Sequence, residues 1–370
     1  MSETLRQIAQ FLVPTWPLLA TCLMSLLPGN RVSPAARRFA VGGAILSCVL
    51  IPFLPAADLL TRWSCLLVSV IPLMSWREDA RRIASSLCFL ACSVMLLALV
   101  THDVLIVMSL TACAAMLLAL HETLVTTRAR LAWDLMRARL LGLILALLGT
   151  SLTSLVHDPS TLRLGDLFLA IGLCLLAGSG TILPQRLSDN PADRRAAVLD
   201  MLLCIGAVAL MLRLPEREIT HLVLLFAGLG GLWLCVLARQ DGAQMAVALA
   251  TLSAACPGGL VPALLFLTTG LALSADPRLP EPTRRWIACC LPPWPGFAAM
   301  CGLAVGLFRS GALPVILCLT ALGIQAAGAR FDRPDPRDRR ERVLLALLLS
   351  GGLAAPFLLT RIWPLIWMAP

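Results

Sequence analysis

The chain has 370 residues, of which 59% are hydrophobic and 14% charged, and its formal net charge is +9. Its mean hydropathy is +0.86. Soluble domains carry about 25% charged residues, so this composition excludes a soluble enzyme, a disordered chain and a small disulfide-stapled secreted domain. It points to a polytopic membrane protein. There is no Tyr, and arginine accounts for all 30 basic residues, so there is no Lys. Mechanisms that need a titrating amine are therefore closed to it.

A membrane helix needs about 20 apolar residues. Fourteen stretches meet or approach that length. In chain order they are Phe11–Leu27, Phe39–Leu54, Trp63–Ser75, Ile83–Val100, Val104–Leu120, Leu140–Val156, Leu167–Pro184 and Ala196–Leu212, followed by His221–Ala238, Ala243–Cys256, Leu260–Leu273, Trp286–Phe308, Leu313–Gly328 and Val343–Thr360. The first carries Pro14 and Pro17 and is followed by no A-x-A site, so it reads as a membrane helix rather than a cleaved leader. The expected fold class is an all-α polytopic membrane protein with about fourteen spans.

The arginines test this partition. Twenty-three of the 30 fall in loops after odd-numbered spans. Cytoplasmic loops are enriched in basic residues, so both termini are expected on the non-cytoplasmic side of a bacterial inner membrane. This clustering is topological and gives no reason to expect nucleic-acid binding. The longest polar stretch, Ala329–Arg342, reads as a solvated cytoplasmic anchor or as a docking loop for a soluble partner. The chain divides into helices one to four (1–100), a core of helices five to thirteen (101–342) and a last helix (343–370).

The 14 cysteines lie mostly inside apolar runs, there is no C-x-x-C, and the four histidines are scattered. Metal and iron–sulfur sites need clustered ligands, so no metal site and no cofactor are expected. Cysteine here behaves as a small hydrophobe.

Ionisable residues inside a bilayer are costly and usually functional. Within the fourteen spans the sole acidic residue is Asp200, and its expected partner is Arg194 or Arg195 at the interface. Glu122 follows the fifth span, and Asp134, Arg137 and Arg139 precede the sixth. Glu122, Asp134, Arg139 and Asp200 are the only candidates for a proton path.

Helix breakers mark two spans. Leu291-Pro292-Pro293-Trp294-Pro295-Gly296-Phe297 must interrupt the twelfth span and free backbone carbonyls. Gly178-Ser179-Gly180 ahead of Pro184 must loosen the seventh. Broken membrane helices persist only where protein buries them or where they line a cavity.

Several of these segments together resemble a known family. Leu118-Ala119-Leu120-His121-Glu122 with Leu135-Met136-Arg137-Ala138-Arg139-Leu140, Gly178–Pro184 with Asp189–Arg195, Ala263–Leu267 ending at Gly270, and above all Leu291–Phe297 are similar to stretches of the antiporter-like membrane subunits. These are subunits of respiratory complex I, of Mrp sodium/proton antiporters and of group 4 hydrogenases, with the hydrogenase-4 and formate hydrogenlyase subunits the nearest in appearance. The resemblance runs from about Asp103 to Gly328. It implies fourteen helices, interruption of the seventh and twelfth, and partners among the other membrane and cytoplasmic subunits of such a complex. The family moves protons through a glutamate in helix five, lysines in helices seven, eight and about eleven, and a Lys or Glu in helix twelve. The matching positions here hold Ala112, Ser179, Ile205, Pro262 and Met300. Codon drift would turn Lys into Arg, and these replacements keep neither charge nor titrating proton. The resemblance therefore implies a degenerate subunit, structural or needed for assembly, with the relay lost. Two alternatives stay open: an active proton or cation translocator with a rebuilt path, and an unrelated secondary carrier for a neutral solute.

Overall fold

The computed structural model describes residues 2–26, 32–54, 58–74, 82–101, 103–125, 129–155, 159–179, 191–215, 217–238, 242–275, 281–327, 346 and 349–354. These residues are helices and short turns. The helices are α1 Ser2–Leu26, α2 Pro34–Leu50, α3 Leu59–Met74, α4 Arg82–Val100, α5 Val104–Val125, α6 Ala129–Leu155, α7 Pro159–Ala177, α8 Pro191–Met211, α9 Glu218–Leu237, α10 Gly242–Ala254, α11 Leu260–Ala275, α12 Glu281–Ala288, α13 Pro295–Ser310 and α14 Ala312–Ala327. Seven of them are long and apolar enough to cross a bilayer, and five more are apolar but shorter.

Local chemistry sets the helix ends. Ser33 accepts a hydrogen bond from the Ala36 N–H at 3.2 Å and Pro34 opens α2, an N-cap followed by a proline that needs no donor. Asp103 caps α5 by accepting from the N–H groups of Leu105 and Ile106 at 2.9 and 3.3 Å. Gly178, at φ 76°, ends α7 in the left-handed region that a side chain resists.

Helix α8 sits at the centre, packed against α3, α4, α5, α7, α10 and α11. Every residue from Met201 to Met211 is buried. The main apolar core is continuous from Ala9 to Leu322. A smaller cluster holds α1, α2 and α4 together, with Trp16 and Phe89 edge-to-face at 5.7 Å between ring centroids. Large apolar side chains also face outward: Phe11, Phe226 and Phe308 are each 70% exposed. A water-soluble chain would bury such rings, whereas lipid solvates them.

The tightest packing is between α6 and α7, which lie antiparallel. A Cβ on Gly149 would come within 2.4 Å of the Leu169 backbone nitrogen, and one on Gly172 within 2.4 Å of the Ala146 nitrogen. Gly142 and Gly165 meet the facing helix in the same way. Only glycine allows two backbones so close, which is how membrane helices gain van der Waals contact without a hydrophobic driving force.

The structure shifts several predicted boundaries. The expected seventh span, Leu167–Pro184, is instead α7 from Pro159 to Ala177, because Pro159 starts the helix early and Gly178 stops it. Asp166 is therefore helical. Glu122 lies inside α5 rather than after it, and Asp134, Arg137 and Arg139 lie inside α6 rather than before it. Hydropathy alone misses these residues because polar turns at a helix end stay helical after the apolar run stops. The expected twelfth span is two helices, α12 and α13, separated by six residues that contain the Pro292–Pro293 cis bond. Gly180, Pro184, the Ala329–Arg342 stretch and most of the expected fourteenth span lie outside the described residues.

Candidate functional site

Positions on α5, α6 and α8 place a buried guanidinium among partly buried acidic groups. Arg139 Nη1 donates to Asp200 Oδ1 at 2.6 Å. The Arg139 side chain is 7% exposed and that of Asp200 19%. Glu122 and Cys204 lie within electrostatic reach of the same guanidinium. Thus two of the four sequence candidates, Arg139 and Asp200, are in contact, and a third, Glu122, lies within electrostatic reach of Arg139. The fourth, Asp134, lies in α6, and its side chain is outside the described residues. Arg139 is a partner of Asp200 that proximity in sequence did not suggest; the side chains of Arg194 and Arg195, the expected partners, lie outside the described residues. Cys204, one turn on from Asp200 in α8, donates to the Ala177 carbonyl at 3.2 Å. Arg139 Nε and Nη2 are buried with no hydrogen-bond acceptor among the described residues.

A second polar group lies at the other end of the helices. Arg213, just past α8, donates to the Leu99 carbonyl at 2.7 Å, the Thr101 carbonyl at 3.4 Å and Thr61 Oγ1 at 3.0 Å. A cation thereby caps the C-terminus of α4, where the carbonyls carry partial negative charge. Arg217 Nη1 donates to both carboxylate oxygens of Asp166 at 2.6 and 2.7 Å and ties α9 to α7. His221 Nδ1 donates to the Ala255 carbonyl beyond the end of α10. A cavity of about 230 Å³ opens here beside Arg217, Glu218, His221 and Pro257. The sequence reading missed this group because hydropathy places Asp166 and Arg217 in loops; their shared feature, an acid and a base at two helix starts, carries no signal without the fold.

Between the two groups the interior is uncharged. From Met201 to Leu212, α8 and its last turn hold twelve residues with no ionisable group except the Cys204 thiol. At 1.5 Å per residue, Asp200 and Arg213 stand about 20 Å apart along the axis. Ile205, midway, is fully buried. The other lost-relay positions are neutral as well: Ala112 is half-buried in α5, Pro262 is buried in α11, Met300 is buried in α13, and Ser179 Oγ donates to the Ala227 carbonyl at 3.3 Å. Of the break residues, Pro292, Pro293 and Phe297 are exposed while Pro295 and Gly296 are buried. Among the described residues no three His, Cys, Asp or Glu groups gather as a metal site would require.

The fold of these helices, with α8 buried at the centre and large apolar rings facing outward, has solved counterparts. A chain of respiratory complex I from Thermus thermophilus, solved with bound aureothin, superposes with a TM-score of 0.70 at 17% identity, covering 95% of this chain and 98% of that one. A chain of the archaeal membrane-bound sulfane sulfur reductase, a respiratory membrane complex, gives 0.68 at 11% identity over 98% and 96%. A chain of the Mrp complex from a Dietzia species gives 0.59 at 14% identity over 91% and 82%. The chain has the antiporter-like fold. No protein-family model matches the sequence, and no curated protein sequence does. The likeness in fold extends over nearly the whole length at low sequence identity, and in this chain the C-terminal half of α8, from Met201 to Met211, carries no charged residue.

Proposed function

We propose that this chain is a non-translocating membrane subunit of a multi-subunit respiratory complex of the NADH-dehydrogenase-like or hydrogenase-like kind. The observation that carries this reading is the uncharged run of α8 between Asp200 and Arg213. Proton transfer across a membrane needs groups whose protonation can be switched by a neighbouring charge. Ile205, Ala112, Ser179, Pro262 and Met300 have no such group. The likeness to chains of complex I, the sulfane sulfur reductase and the Mrp complex supports an assembly role, in which inert helices pack against neighbouring subunits and Arg-rich loops face cytoplasmic ones. In this reading α12 and α13 are the halves of one interrupted span, and α7 is the first half of another. The protein lies in a bacterial inner membrane, both termini on the non-cytoplasmic side. Redox chemistry belongs to the partners.

The test is co-purification. A tagged chain drawn from gently solubilised native membranes is expected to migrate on a native gel with subunits that carry flavin or iron–sulfur absorbance. Migration alone, with no redox-active subunit at any detergent concentration that preserves membrane complexes, overturns the assignment.

One observation favours a second reading, an active translocator with a rebuilt path: Arg139 and Asp200 are in contact, with Glu122 within electrostatic reach of Arg139, although they are far apart in sequence. That reading requires a water chain past Ile205, and it predicts flux that Asp200→Asn abolishes.

A further inference from the structure

The segment between α12 and α13 leaves backbone groups out of both helices, and proline at 292, 293 and 295 removes three donors there. In a bilayer such backbone must be covered. The helical turn at 349–354 lies against its Pro293–Pro295 side, while Pro292 and Pro293 keep an exposed face. A Cβ on Gly352 would stand 1.8 Å from the Pro293 carbonyl oxygen and 3.0 Å from the Trp294 carbonyl carbon. Gly352 is buried, and Gly351 faces the Pro295 ring, with a Cβ there 3.5 Å away. The neighbouring Leu353 is 67% exposed, so the turn shows one face to the break and the other to the surroundings. Two native thiols lie in the same break: Cys289 and Cys290 are each 4% exposed, and a Cβ on Gly296 would stand 3.2 Å from Cys290 Sγ.

We infer that the turn at 349–354, through the Cα of Gly352, is a plug that seals the α12–α13 break and keeps water from Cys289 and Cys290. Glycine is required at 352 because the atom it meets is a backbone oxygen, which cannot swing aside as a side chain can. The inference concerns access to the break and holds whether or not ions cross the membrane.

The experiment uses the full-length chain in native membranes, alkylated with N-ethylmaleimide and mapped by mass spectrometry. Wild-type Cys289 and Cys290 are expected to react as slowly as the fully buried Cys65 and Cys92, and Gly352→Ala is expected to raise their rate at least tenfold. Gly323→Ala, which adds a methyl where nothing lies within 4 Å, is expected to change nothing. Cys65 and Cys92, fully buried elsewhere, report whether each variant keeps its fold. If Gly352→Ala leaves Cys289 and Cys290 unreactive while Cys65 and Cys92 stay protected, the plug is overturned. If the variant unfolds, amide exchange of the wild-type chain decides: slow exchange in both 289–297 and 349–354 supports the seal, and fast exchange in either overturns it.

Discussion

Arg139 of α6 and Asp200 of α8 share a 2.6 Å charge-assisted hydrogen bond although 61 residues separate them. The bond joins the middle of α6 to the middle of α8 and uses one guanidinium nitrogen, leaving Nε and Nη2 buried without acceptors among the described residues. A buried pair of this kind does little for stability relative to a packed apolar pair, but losing one partner strands a charge.

The first prediction follows from that asymmetry. Arg139→Met alone is expected to lower stability by about 3 kcal/mol, because the mostly buried Asp200 carboxylate loses its 2.6 Å charge-assisted hydrogen bond. The double variant Arg139→Met with Asp200→Leu is expected to regain most of the loss. Unfolding by steric trapping in bicelles measures both. A double variant as unstable as the single one would show that the pair is not the energetic unit.

The Arg217–Asp166 pair is expected to respond unevenly. Asp166 is 8% exposed and Arg217 43%. Arg217→Ala strands a buried carboxylate and is expected to cost about 2 kcal/mol, whereas Asp166→Asn leaves Arg217 free to hydrate and is expected to cost below about 1 kcal/mol. Thermal unfolding of the two variants in the same detergent compares them directly, and equal shifts would contradict the burial argument.

Arg213 is expected to matter more than its place at a helix end suggests. It binds two carbonyls at the end of α4 and the Thr61 hydroxyl of α3. Arg213→Gln is expected to cost about 2 kcal/mol, the range for hydrogen bonds from a charged donor. Amide exchange in the last turn of α4 should rise before that elsewhere in the helix. Unchanged exchange there would remove Arg213 from the role of cap.

The α6–α7 glycines give a steric prediction. Gly149→Leu places a side chain where even a Cβ would reach 2.4 Å from backbone, and is expected to prevent accumulation of the folded chain in the membrane. Gly42→Leu, at a position with nothing within 4 Å, is expected to accumulate normally. Fluorescence-detected size exclusion of fused variants reads both.

How far these features were readable from sequence depends on the range of the interaction behind them. Hydropathy marks the apolar runs, since each helix must cover its own backbone in lipid, and it placed α4, α5 and α9 to within a few residues. The proline cluster at 292–295 marks its break for an equally local reason. Boundaries failed where polar residues continue a helix past its apolar run, as at Glu122, Asp134 and Asp166. Asp200 stood out as a charge among apolar neighbours, but its pairing with Arg139 could not be read, because α6 and α8 are brought near each other only by α5 and α7, which pack on both. Gly149 and Gly172 look like ordinary membrane-helix glycines until α6 and α7 are laid antiparallel. Gly352 likewise has meaning only beside Pro293, on another element.

The central claim is that the uncharged interior of α8 carries no protons. Proteoliposomes holding the purified chain, loaded with a pH-sensitive dye and given a proton gradient and a potassium diffusion potential, test it most directly. The expected result is a leak equal to that of protein-free vesicles, for wild type and for Asp200→Asn alike. A wild-type flux well above the blank that Asp200→Asn abolishes would contradict it and would make Glu122, Arg139 and Asp200 the start of a working path.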